Sequence, residues 1–110
     1  MREADLKRTC EDYLQIQQNL GGLMFLRLNS GDAFREYGGR KYRIKLCPEG
    51  TADFYVLKKS RSIFIELKGD KGKQSDEQTA FEQAVRRQGA DYFVVRDTED
   101  LVTALHIGGN

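Results

Sequence analysis

Residues 63–68, Ile63-Phe64-Ile65-Glu66-Leu67-Lys68, place apolar side chains on both faces of an extended chain. Ile63, Ile65 and Leu67 share one face, while Phe64, Glu66 and Lys68 share the other. A strand that begins apolar on both faces belongs inside a sheet rather than at its rim. Its far end carries a carboxylate and an amine, which are costly at a buried position unless paired or liganded. The alternative is a strand that has reached solvent, with Glu66 and Lys68 as a surface ion pair. A second carboxylate, Asp53, lies thirteen positions upstream in Gly50-Thr51-Ala52-Asp53. Ala52 to Leu57 and Ser62 to Leu67 read as strands joined by the polar turn Lys58-Lys59-Ser60-Arg61, a length suited to an antiparallel hairpin. Asp53 and Glu66 are therefore expected near its open end.

Two carboxylates so placed can hold a hard cation through oxygen, and a neighbouring amine can steady an attacking water or the charge developing on a phosphate. The distribution of charge bears on the partner. Net charge is only +1, but from Arg35 to Lys73 eleven Lys or Arg face five acids, net +6, whereas residues 1–34 come to −1 and residues 74–110 to −4. The basic stripe includes Arg40, Lys41, Arg43, Lys45, Lys58, Lys59, Arg61, Lys71 and Lys73. It would neutralise phosphates around a site in the same segment; on charge alone, a solvated surface accounts for it equally well.

Periodicity supplies the rest of the organisation. Residues 3–20 place Leu6, Cys10, Tyr13, Leu14 and Gln17 at helical spacing, with Gly21-Gly22 ending the helix. Leu23 to Leu28 reads as a strand, followed by the turn-rich Asn29-Ser30-Gly31-Asp32 and then an excursion or a hairpin returning through Tyr42, Ile44 and Leu46. Ser75 caps a helix through Gln88, Tyr92 to Val95 resumes as strand, and a short helix runs from Thr98 to Leu105. The expected fold is α/β: a central mixed sheet flanked by helices, in the order αβββαβ with a short C-terminal helix, in a single domain over residues 1–110. No apolar run is long enough to cross a bilayer and the charged N-terminus is unlike a signal peptide, so the expected compartment is the cytoplasm. Cys10 and Cys47 stand apart from each other and from His106, which points to buried thiols rather than a zinc site or a disulfide framework.

Gly50-x-x-Asp53, Ile65-Glu66-Leu67-Lys68 and Lys71-Gly72-Lys73-Gln74-Ser75-Asp76-Glu77-Gln78 together resemble the VRR-NUC domain, the virus-type replication-repair nuclease branch of the PD-(D/E)XK superfamily. Arg27-Leu28-Asn29-Ser30-Gly31, and Gly89-Ala90 ahead of the strand Tyr92 to Val95, extend the resemblance over nearly the whole chain. It departs at Ala52, where the family usually has proline before the acid. The resemblance implies a restriction-endonuclease-like core in which Asp53 and Glu66 bind Mg²⁺ or Mn²⁺, with the Leu67 backbone carbonyl as a further oxygen ligand. Lys68 would orient or polarise the attacking water, and Gln78 would contact that group or the nucleic acid, its plain alternative being a polar residue at a helix start. The family also places a glutamate on the first helix; Glu3 and Glu11 compete for it, and the side shared with Leu6 and Cys10 favours Glu3. Asn29, Ser30, Arg40, Lys41, Arg43, Lys71 and Lys73 are the expected nucleic-acid contacts, with Tyr37 and Tyr42 as further candidates.

The implied activity is a metal-dependent, structure-selective DNA endonuclease. Like the stand-alone phage and bacterial members it resembles, it would be a homodimer placing two sites on branched DNA, above all a four-way junction. Phe25, Leu26, Phe34 and Tyr37 are candidates for the dimer surface, although a monomeric core competes for them. No membrane partner or small-molecule cofactor is expected. Two other functions stay open: a non-catalytic DNA-binding or assembly module of the same fold, and a small basic RNA-binding domain, which would expose aromatics on its sheet.

Overall fold

A computed structural model describes residues 1–108; the last two residues of the expected unit lie outside it. The elements run α1 (Glu3–Asn19), β1 (Met24–Arg27), β2 (Asp32–Tyr37), β3 (Arg40–Lys45), β4 (Phe54–Lys58), β5 (Arg61–Leu67), α2 (Asp76–Arg87), β6 (Asp91–Val95) and α3 (Thr98–Gly108). Four strands form a mixed sheet in the order β1-β4-β5-β6. The pairs β1/β4 and β4/β5 are antiparallel, while β5 and β6 are parallel and connected through α2. The sequence run that is apolar on both faces thus lies at an inner position of the sheet.

Alternation along β5 sorts its side chains between two cores. Ile63, Ile65 and Leu67, with Phe54 and Val56 of β4, pack beneath Leu6, Cys10 and Leu14 of α1 and Leu101, Ala104 and Leu105 of α3. On the opposite face Phe64 packs with Phe81 and Val85 of α2 and with Tyr92 of β6. Edge-to-face contacts join Tyr55 to Phe64 and Phe64 to Phe81, with ring centroids 5.1 and 5.3 Å apart. Both faces of the sheet are covered by helices, so its aromatics serve packing.

β2 and β3 stand apart. Their residues pair in register from Asp32↔Lys45 to Tyr37↔Arg40 as a separate two-stranded ribbon. Eleven of its twelve strand residues are exposed, Ala33 being the exception, and Ile44 is 36% exposed. The turn Gly38-Gly39 holds both residues at positive φ, 60° and 79°, which a two-residue hairpin connection demands and glycine adopts freely. The excursion expected after Asn29 is therefore a projecting arm. It is consistent with a radius of gyration of 15.1 Å, where a compact chain of this length would have about 13 Å.

Gly50 fastens the root of this arm to α2. Its φ is +92°, and a Cβ placed on it would lie 2.5 Å from the Glu77 carbonyl oxygen in the first turn of that helix. Gly50→Ala is expected to lower stability by about 2 kcal/mol or more, a fall in Tm of roughly 10 °C. Thermal unfolding against wild type measures it; an unchanged Tm would show that the loop and helix separate without cost.

Candidate active site

The two acids singled out in the sequence meet at one end of the sheet, each held by different elements. Asp53 immediately precedes β4, and its backbone is fixed from both sides: its N–H donates to the Ile65 carbonyl (3.0 Å) and its carbonyl accepts from the Leu28 N–H (2.8 Å). Its carboxylate turns inward, Oδ2 accepting from the Leu67 N–H at 2.7 Å. That contact explains why β4 begins at Phe54 and not at Ala52, as periodicity suggested. The Asp53 side chain takes a donor that a continued ladder would have given to backbone.

Glu66 is 1% exposed. Its Oε1 accepts a 2.6 Å hydrogen bond from Gln78 Nε2. The other end of the Gln78 amide accepts from the Ser75 N–H (2.9 Å), while Ser75 Oγ accepts from the Gln78 N–H (3.1 Å). This reciprocal capping box both starts α2 and fixes which end of the amide faces Glu66. Gln78 thus starts the helix, as its plain alternative held, and with the same amide contacts Glu66, where the resemblance implied a contact to the group at Lys68 or to the nucleic acid.

Burial first, then hydrogen bonding and charge from Asp53, push the Glu66 carboxyl up to about 9; Lys68 opposes the rise and Glu3 adds to it. Lys68 continues the parallel pairing, its N–H donating to the Val95 carbonyl at 3.0 Å. Glu3, at the start of α1, packs its backbone and Cβ near Gly69 and borders a concave surface with Arg2, Lys71 and Gly72. Glu11 is turned elsewhere, in a 3.1 Å ion pair with Arg27. Glu3 is therefore the first-helix acid whose charge reaches Glu66.

Lys7 is a site residue that sequence reasoning passed over. Its Nζ lies 3.6 Å from Asp53 Oδ1, and its side chain is 29% exposed. The available signal was its spacing of four from Glu3 on α1, next to the buried stripe of Leu6 and Cys10.

The basic stripe divides. Asn29 and Ser30 lie at the arm's root, where the Asn29 carbonyl accepts from the Cys47 N–H and Ser30 bridges Cys47. Lys71 and Lys73 lie in the loop between β5 and α2, and Arg40, Lys41 and Arg43 lie on the arm. Lys58 and Arg61, however, belong to the opposite end of the sheet, a strand's length of about 17 Å from Asp53. Lys58 Nζ donates to the Leu105 carbonyl (3.1 Å), and Arg61 makes a forked contact with Asp91 (2.8 and 3.0 Å). These two stabilise the fold. His106 follows Leu105 at that same end, remote from the acids. Of the proposed dimer-surface residues, Phe25 packs edge-to-face on Phe54 in the core, whereas Leu26, Phe34 and Tyr37 are exposed. Cys10 is buried, which pushes its thiol up to about 11, and it forms no disulfide.

Among the described residues, no group of three His, Cys, Asp or Glu side chains is arranged as a ready cation cage. Mg²⁺ does not need one, because it takes one or two protein carboxylates and completes its shell with water and substrate phosphate oxygens. The donor set of Asp53 and Glu66 fits that requirement: two carboxyls at one end of the sheet, with the ionised form of the buried Glu66 disfavoured by burial and by Asp53, a penalty that a divalent cation would offset.

No family model and no curated protein sequence matches this chain. Among the described residues, no helix is long and apolar enough to cross a membrane.

The Glu66 environment sets a stability profile. A carboxyl raised from 4.5 to about 9 by folding favours the protonated form, so its contribution is complete below about pH 4.5 and is lost as pH rises toward about 9. In EDTA, stability is expected to fall across that window by up to about 1.4 kcal/mol per pH unit from this group. Glu66→Gln should flatten the profile and be the more stable protein at pH 8. Urea unfolding at a series of pH values tests this, and parallel curves for the two proteins would contradict it.

Proposed function

We propose that this chain is a metal-dependent DNA endonuclease with a restriction-endonuclease-like core, of the VRR-NUC kind that its motifs resemble. The observation that carries the proposal is the meeting of Asp53 with a buried Glu66, beside Lys68 and under the amide of Gln78, at one end of a helix-covered sheet. A purely structural role gives little reason to bury the Glu66 carboxyl against a second, partly exposed carboxylate and beside a lysine, because the desolvation cost of a buried ion is several kcal/mol. A site for charge-stabilised hydrolysis needs that arrangement.

Asp53 and Glu66 would hold Mg²⁺ or Mn²⁺, with the Leu67 carbonyl as a further donor. When bound, the cation would lower the pKa of a water and offset charge on the scissile phosphate. The chain's own groups divide the remaining work. Gln78 fixes the orientation of Glu66, leaving its second oxygen for the site. Lys68 presents a cation to the nucleophile or to the oxygens on which negative charge grows. Lys7 balances Asp53 from the α1 side. Leu67 N–H holds Asp53 in place, so the carboxylate is oriented by backbone and not by a mobile partner.

The preferred substrate in this proposal is branched DNA, above all a four-way junction, cut by a homodimer with two opposed nicks. Support comes from the resemblance to stand-alone nucleases and from the exposed Leu26 and Phe34.

Labelled four-way junction, flap, duplex and single strand, each incubated with Mg²⁺, Mn²⁺ or EDTA, provide the test. The expected outcome is metal-dependent nicking of the junction in symmetric positions, reduced about a thousandfold or more by Glu66→Ala. Lys68→Ala should lower kcat by roughly a hundredfold or more with a smaller change in KM. Cleavage of no substrate, with junction binding unchanged by Glu66→Ala, would instead leave a non-catalytic DNA-binding module.

A further inference from the structure

The β2–β3 arm presents two chemically different faces. In an antiparallel pair, directly opposed residues project to the same side. The register therefore puts Phe34 with Arg43, Glu36 with Lys41 and Asp32 with Lys45 on one face, where each acid meets a base. Arg43 is further engaged with Asp32 at 3.0 Å. The other face carries Arg35 opposite Tyr42 and Tyr37 opposite Arg40, with Ala33 and Ile44 toward the root. It contains no acid. Tyr37 is 80% exposed and Tyr42 48% exposed, and among the described residues neither ring takes part in an aromatic contact.

We propose that this acid-free face is a DNA-contacting surface, with Arg35 and Arg40 on phosphates and Tyr37 and Tyr42 against sugars or bases. DNA as the occupant rests on the endonuclease function proposed above; the choice of face rests on the register. Three observations support the assignment. A face with two guanidinium groups, two exposed phenol rings and no carboxylate is complementary to a polyanion with flat bases. Both strands of the arm are rooted at the catalytic end, since Leu28 N–H donates to the Asp53 carbonyl and the returning chain passes through Gly50 to Asp53. Six residues of strand reach about 20 Å beyond that root. A phosphate at Asp53 and Glu66 would leave flanking DNA within the arm's span, and a two-stranded ribbon is narrow enough for a major groove. An isolated ribbon is also only marginally stable in water, so a bound duplex would order it.

Arg35 and Arg40 are thereby assigned different work from Lys41 and Arg43, although all four belong to one basic run in the sequence. The test is binding of fluorescein-labelled junction and duplex in Ca²⁺, by anisotropy across a salt series, comparing the double variants Arg35→Ala/Arg40→Ala and Lys41→Ala/Arg43→Ala. Both remove two charges from exposed positions, so each controls for the folding and net charge of the other. Loss of the first pair should weaken binding about tenfold or more and lower the magnitude of the salt slope by about 2, while loss of the second weakens it less than about threefold. Arg35→Lys/Arg40→Lys should restore most of the slope. Equal losses from the two faces, or none from the first, would overturn the assignment. Conversion of a wild-type dimer to monomer by Arg35→Ala/Arg40→Ala, seen by light scattering, would overturn it in favour of a second copy of the chain. Should wild type cut DNA while Arg35→Ala/Arg40→Ala binds normally, the arm assignment fails alone. If wild type neither binds nor cuts any DNA, the endonuclease function fails and the occupant with it.

Discussion

Burial of the Glu66 carboxyl is the constraint around which the rest of the structure is arranged. An ionised carboxylate removed from water costs several kcal/mol, against a total stability of about 5–15 kcal/mol for a domain. The group is tolerated because separate parts of the chain converge on it. β5 carries it inward between two helix layers, α2 contributes the Gln78 amide, and the segment before β4 contributes Asp53, whose hydrogen bond and charge favour the protonated form of Glu66. Each contribution is itself fixed locally. Gln78 is locked by the capping box at Ser75, and Asp53 is locked by backbone bonds to Leu28, Ile65 and Leu67. The site is thus built on element ends whose positions are over-determined, which keeps charged groups aligned without each requiring its own loop.

Alternation in residues 63–68 was sufficient to place β5 inside the sheet and to set Glu66 and Lys68 on the side away from Leu67, because a two-residue period is a property of the chain itself. Helical spacing of Leu6, Cys10 and Leu14 located α1 for the same reason. What the sequence could not display was juxtaposition across elements. Lys7 reaches Asp53 only because α1 packs across β4 and β5 beside that end of the sheet, and no local pattern encodes such packing. The basic segment illustrates the converse. A charge sum along the chain merged Lys58 and Arg61 with Lys71 and Lys73, although a β-hairpin carries its turn a full strand length away from its open end. Lys58 and Arg61 consequently pair with Leu105 and Asp91 at the far end.

The same limit applies to the arm. Turn formers at Asn29 to Asp32 and the Gly38-Gly39 pair indicate a reversal, yet composition along β2 and β3 mixes bases, acids and aromatics without apparent order. Order emerges only with register: pairing Arg35 to Tyr42 and Glu36 to Lys41 separates an acid-free face from a charge-balanced one. A shift of one residue in that pairing would exchange partners across the faces. The pairs Asp32↔Lys45 and Tyr37↔Arg40, closed by a two-glycine turn, leave the ribbon no slack for such a shift.

Gly50 connects these two regions mechanically. The chain returns from the arm through Pro48, Glu49 and Gly50, touches the first turn of α2 at Glu77, and three residues later supplies Asp53. Glu77 is adjacent to Gln78, whose amide orients Glu66. A Cβ at position 50 would have to displace either the returning loop, and with it Asp53, or the helix start, and with it Gln78. The absence of a side chain is therefore what allows the arm's root, the capping box and the carboxylate pair to occupy one small volume. In the Gly50-x-x-Asp53 motif, the glycine secures by contact what the aspartate supplies by charge.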